Sequence, residues 1–303
     1  MIAYVRLGLF LALMCLLFFV SQFFEYEIPW LERPNILLVT LLILAGSVYL
    51  LIVKDLLEVK SYPLMLVILA GFFLRLLFLN STPIYEDDFY RYYFDGELVS
   101  HGLNPYAHAP IEFMDSPFPD PENEIEVQDS GRKVSSEING LPYLDRVAYP
   151  TIRTIYPPLS QVIFALSQWI DSGNLVLWRA FLLVADCIVL ALLFPLLREF
   201  SLPKSLVGIY WLNPMTVLQT FGAAHMDVLL IPFLLGTALL ALTSRFTLSG
   251  ICLACAVGIK LWPIILAPVV FRSLLAYPKK LIAAIAPFIL MSCVFFLPQL
   301  VTR

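Results

Sequence analysis

From Ala3 to Phe24 the chain carries one charge, Arg6, in 22 residues. As a helix that stretch rises about 33 Å, enough to cross the roughly 30 Å of bilayer hydrocarbon. Apolar runs of this kind recur at 36–53, 62–80, 156–170, 175–197, 205–221, 228–243, 246–258, 264–271 and 281–298. In lipid a segment must satisfy its own backbone hydrogen bonds, so such runs can cross only as helices. With 60% hydrophobic residues in 303 and a mean hydropathy of +0.85, the chain holds more apolar surface than a soluble domain can hide. The reading is an all-α polytopic membrane protein with about 8–10 transmembrane or partly crossing helices.

One long polar stretch interrupts the apolar pattern, and it divides the chain. Residues 1–80 read as three N-terminal transmembrane helices, 81–155 as an acidic loop with an amphipathic helix, and 156–303 as a transmembrane bundle. The loop holds 14 of the 23 acids and five of the 19 bases. The net charge of −4 and the acidic loop exclude nucleic acid as a partner. Arg6, Lys54 and Lys60 fall on one side of the first three spans, which the positive-inside rule makes cytoplasmic. The loop is then extracytoplasmic, and the protein sits in the cell (inner) membrane with the bilayer as its solvent. The first run lacks a cleavage site of small residues and reads as an uncleaved helix. Arg75, five residues before the exit of the third span, is expected to snorkel to the interface. One conflict of parity remains. If 156–170 and 175–197 both cross, the basic turn 198–204 lands outside, and a 15-residue run favours an incomplete crossing at 156–170. The chain ends directly after an apolar helix.

The chemistry gathers where the loop begins. Glu86, Asp87 and Asp88 stand in a row, with Asp95 one helical repeat on. Residues 85–101 are expected to form a helix that places Asp88, Tyr92 and Asp95 on one face and pairs Asp87 with Arg91 at i+4. Gly102 ends it, and Asn104-Pro105-Tyr106 turns the chain. From Glu112 to Asp129 come seven acids, read as irregular loop. Acids at a helix start suit its dipole and need no function. Three together above a bilayer, among Tyr85, Tyr90 and Tyr92, suit a carboxylate base for a sugar hydroxyl, or a divalent ion such as Mg or Mn.

Other polar residues stand out against apolar surroundings. Arg146 and Arg153 precede Tyr156-Pro157-Pro158. His225 and Asp227 follow Asn213-Pro214 at a membrane boundary, and ordinary interfacial residues are the plain alternative. Lys260 precedes Trp262-Pro263; it could snorkel beside a belt tryptophan, or hold a lipid phosphate. Arg179 and Asp186 share a helix face inside a span. An unpaired aspartate there costs about 2.5–3.5 kcal/mol, so a buried polar partner is expected. The five cysteines lie in apolar runs and read as small packing residues rather than a metal or redox site.

Taken in order, EDDFYRYYFDG, GLNPY, IYPPL, the NP–HMD pair and GIKLWPIILAP resemble polyprenyl-phosphate-dependent mannosyltransferases of the GT-C superfamily. The group is similar to the GPI mannosyltransferase I catalytic subunit and its bacterial relatives, over roughly residues 80–270. The resemblance implies a GT-C-like bundle, C-terminally incomplete here because members of the group commonly continue with more helices, and an inverting transfer of mannose or another hexose. The donor is a polyprenyl-phosphate-linked sugar, and the acceptor is an extracytoplasmic hydroxyl of a glycan or glycolipid. It implies Asp88 as general base, with Asp87 the second candidate. Glu86, Arg91, Asp95, Asn104, Tyr106, Arg153, Tyr156, His225, Asp227, Lys260 and Trp262 would bind substrate. The superfamily's DxD is replaced here by EDD, and no metal ligand set is assigned. The rivals are a transporter or flippase of a lipid-linked or polar solute, and a non-catalytic membrane subunit.

Overall fold

The computed structural model describes residues 1–301 apart from 26, 59–61, 85–86, 115–137, 139 and 273. Glu86, Lys60 and most of the acidic stretch therefore lie outside the described residues. Twelve helices are named in chain order: α1 (Ile2–Ser21), α2 (Asn35–Leu57), α3 (Leu64–Phe78), α4 (Asp88–Ser100), α5 (Pro158–Ile170), α6 (Leu175–Glu199), α7 (Val207–Trp211), α8 (Pro214–Val217), α9 (Ile231–Leu242), α10 (Phe246–Ile259), α11 (Ala267–Arg272) and α12 (Pro278–Val301). Among the described residues there is no strand. Among the described residues four segments are long and apolar enough to cross a membrane: α1, α2, α6 and Pro278–Leu297 of α12. A fifth arises if the bent pair Pro214–Gly222 and Met226–Leu242 is one broken span, and α3, α10 and Trp262–Arg272 are shorter apolar helices. The protein is an all-α polytopic membrane protein.

The chain sorts into two compact units, residues 1–86 with 178–245, and 87–177 with 246–303. In the first, α1 packs along α2 and α3. Arg6 bonds Asp55 at 2.5 Å, and Tyr62 ties the same acid to the carbonyl of Ala3. Arg75 does not snorkel. It is fully buried and pairs with the equally buried Asp186 at 2.5 Å, lying over the Trp211 ring at 3.3 Å. An acid inside the same apolar unit holds the guanidinium better than a reach to the interface. Tyr210 donates to the other oxygen of Asp186. Arg179 does not pair with Asp186 despite the shared face. Its donors go to the carbonyls of Leu79, Ser81 and Gly222. The Trp211 indole packs against Gly71, where a Cβ would overlap it.

The expected span 205–221 is broken, and 228–243 corresponds to the single helical segment Met226–Leu242. Asn213 accepts from Met215 and Thr216 and restarts the helix at Pro214. The helix widens to a π turn at Leu218–Gly222, and the chain then bends by 109° through Ala224 at φ +58°. His225 and Asp227 stand at that bend.

In the second unit α4 packs along α5, and α10 along α12. Gly250 lies against the carbonyl of Ala284, so a side chain there would part α10 from α12. Helix α4 starts at Asp88 rather than at residue 85. It ends as its sequence predicts: Gly102 takes φ +77°, and Leu103 N–H bonds Leu98 O at 2.7 Å. Helix α5 begins at Pro158, a residue whose fixed φ and missing N–H suit a first turn. Its 13 residues rise about 20 Å, too short for the hydrocarbon.

Candidate active site

Sequence and packing meet at the start of α4. Asp87 precedes the helix at the surface and Asp88, half-buried, opens it, where the helix dipole favours negative charge. The Tyr156 hydroxyl donates to Asp88 Oδ2 at 3.4 Å. Tyr156 is itself held from three sides. Its ring meets Tyr92 edge-on at 5.2 Å and Phe164 at 5.6 Å, and its carbonyl accepts from the Tyr106 hydroxyl at 2.7 Å. Asn104 shapes the turn before Tyr106 by accepting its N–H at 3.0 Å. The NPY motif thus clasps the YPP re-entry, which in turn meets the acid.

Asp88, Tyr92 and Asp95 do share a face of α4, and that face is covered. Asp95 is fully buried, with Arg91 at 2.8 Å and Gln161 at 3.1 Å. Arg91 pairs forward with Asp95, not back with Asp87 as the i+4 spacing also allowed, and its Nη1 bonds the carbonyl of Ile152 at 2.7 Å. Burial decides between two equally spaced acids, because a buried carboxylate needs a charge partner and a surface one does not. The α4 helix is accordingly buried on nearly every side rather than amphipathic. Gly96 allows this closeness: a Cβ there would come within 2.6 Å of the Phe164 carbonyl. Arg91 and Asp95 act as the frame beneath the acids.

The electrostatics follow burial. Desolvation, then the charge of adjacent Asp88, pushes the Asp87 carboxyl up from the ordinary aspartate value. Burial pushes Asp95 up against the opposing pull of Arg91, Thr154 and Gln161. Burial and then the Asp88 charge push the Tyr156 hydroxyl up, so it stays a donor. The Asp87–Asp88 pair can accept a proton beside a fixed phenol.

The remaining candidates stand elsewhere. Arg153 is exposed, three residues before Tyr156. Arg146 donates to the Tyr90 hydroxyl at 3.1 Å, one turn along α4 from Asp87. Lys260 is half-buried directly after α10, and Trp262 beyond it is exposed. His225 and Asp227 belong to the first unit, with Nδ1 and Oδ2 3.4 Å apart. Among the described residues no group of three or more His, Cys, Asp or Glu is placed to hold a metal ion. The two described acids alone make a poor site for Mg or Mn. Gln161 and Thr154 were not anticipated. Both are uncharged; the packing of α5 on α4 brings Gln161 to Asp95, and Thr154, four residues before α5, accepts from Gln161 at 2.9 Å.

Comparison with known proteins gives one result. The sequence model of a family described as Alpha-(1->6)-mannopyranosyltransferase, N-terminal domain, matches residues 149–276. The matched stretch includes Tyr156, α5 and Lys260, and leaves out α4. Comparisons with curated proteins and with solved structures found no match. Residues 149–276 are similar to a mannosyltransferase family, and that similarity supports a glycosyltransferase activity.

Proposed function

We propose that the chain is a membrane glycosyltransferase that moves mannose or another hexose from a polyprenyl-phosphate donor to an extracytoplasmic acceptor hydroxyl, with inversion. The observation that carries this reading is the bond between Tyr156 and Asp88. Tyr156 lies in the stretch similar to mannosyltransferases, and Asp88 lies outside it. The bond joins the acids to that stretch.

In this reading Asp88 takes the proton of the acceptor hydroxyl as its oxygen attacks the anomeric carbon. The bond to the lipid phosphate breaks on the opposite face, and the phosphate leaves with its electron pair. Tyr156 holds the Asp88 carboxylate in place, and Asp87, raised by desolvation and then by its neighbour's charge, is the reserve base. Arg153 or Lys260 offers positive charge for the leaving phosphate. Glu86, His225, Asp227 and Trp262 remain candidates for sugar and lipid contacts. The GT-C bundle and the cell-membrane setting, with the loop outside, belong to the same proposal.

A transporter would need its intramembrane charges along a path. Arg75 and Asp186 instead close on each other with no exposure. The test is purified protein in vesicles with a lipid-linked mannose donor and a mannoside acceptor. Transfer with release of polyprenyl phosphate is the expected result. No transfer across several lipid-linked sugars would reject the proposal in favour of a carrier or a non-catalytic subunit.

A further inference from the structure

Helix α5 is inside out. Its buried side carries Ser160, Gln161, Ser167 and Gln168 around Phe164, while Val162, Leu166, Trp169 and Ile170 are exposed, Trp169 by 78%. The exposed four recur at i, i+4, i+7 and i+8, one continuous stripe. A helix facing water shows the reverse. The stripe extends upstream through Tyr149, Ile152 and Ile155, all exposed.

Three observations say what covers it. Within the same unit the α5 residue Leu159 lies beside Gly258 of α10 and Phe295 of α12, and α12 is long enough to cross a membrane. The stripe is therefore continuous with the surface of a helix long and apolar enough to cross a membrane. Both ends of α5 are tied to polar chain of the loop: Tyr156 to Asp88 at the start, and Ser172, just past the end, to Glu97 of α4. A helix held at both ends by α4 runs alongside it. Finally, 13 residues are too few to cross.

We propose that α5 lies in the plane of the membrane, with Val162, Leu166, Trp169 and Ile170 in the acyl region of the extracytoplasmic leaflet and α4 seated on its polar back. The occupant of the stripe is lipid hydrocarbon. The turn 171–174 then stays on the side of the 81–155 loop. Helix α6 crosses once and delivers Arg198 and Lys204 to the side of Arg6 and Lys54, which removes the parity conflict. The raft of α4 on α5 holds Asp87 and Asp88 at headgroup depth, where the phosphate of a lipid-linked donor lies. That last consequence rests on the transferase reading; the membrane placement does not.

Two measurements on the full chain in phosphatidylcholine vesicles test it, and neither reads activity. Lipids brominated on the acyl chain should quench the wild type more than Trp169→Phe, because the lost fraction of quenching is that of Trp169. Equal quenching in the two proteins would overturn the proposal, as would a Trp169 shielded by a second copy in a dimer. Asp171→Cys should react with a membrane-impermeant maleimide from the same side as Asp145→Cys and opposite to Ser201→Cys. Labelling of Asp171→Cys from the Ser201→Cys side would mean that α5 crosses, and would overturn it equally. Both results as expected with no sugar transfer would leave the placement standing and reject the transferase reading alone.

Discussion

At the scale of single residues, some charges hold the fold and others are left for chemistry. Arg91 and Asp95 belong to the first group. Arg91→Met leaves Asp95 buried without its cation and should destabilise the protein by about 3–5 kcal/mol, while Arg91→Met with Asp95→Asn should recover most of that loss. Thermal unfolding in detergent checks both. The pH dependence has a definite sign. Burial holds the folded value of Asp95 above its unfolded value, so its contribution to stability is full below the ordinary aspartate range. That contribution is lost as pH rises through the raised folded value. Asp95→Asn should flatten this fall in the unfolding midpoint. The sequence placed Arg91 midway between Asp87 and Asp95, four residues from each, and spacing alone could not choose. The choice was made by α5, which buries one acid and leaves the other at the surface.

At the scale of elements, close approach decides which helices pair. Gly96 lets α4 lie on the backbone of α5, and Gly96→Ala should push them apart at about 1–3 kcal/mol. It should also loosen the Tyr156–Asp88 bond, so activity should fall further than the unfolding midpoint suggests. In the first unit Arg75→Leu or Asp186→Leu should each sharply lower the yield of folded protein, and the double replacement should lower it less than either. Long helices such as α1, α2, α6 and α12 were legible because an apolar run of that length has one stable setting. The end of α4 was legible because Gly102 has a conformational reason to be there. The broken segment 205–243 was not. Asn213 and Pro214 marked a restart, but the π turn and the turn at Ala224 depend on Trp178 and Arg179, whose side chains bond the carbonyls of Ala224 and Gly222. Those contacts span about 45 residues of sequence and leave no local signature.

At the scale of the whole molecule, apolar helices carry one acidic segment, and the similarity of residues 149–276 to a mannosyltransferase family supports a glycosyltransferase activity. The order EDD, NPY, YPP was legible as a set, and the structure joins Asp88, Tyr106 and Tyr156 through hydrogen bonds. The central claim is that Asp88 removes the acceptor proton. Its most direct test is the initial rate of sugar transfer from a lipid-linked donor by Asp88→Asn, compared with wild type at equal unfolding midpoint. A loss of about 10²–10⁴-fold, with the donor still bound, is the expected result. An unchanged rate in folded Asp88→Asn would contradict the claim.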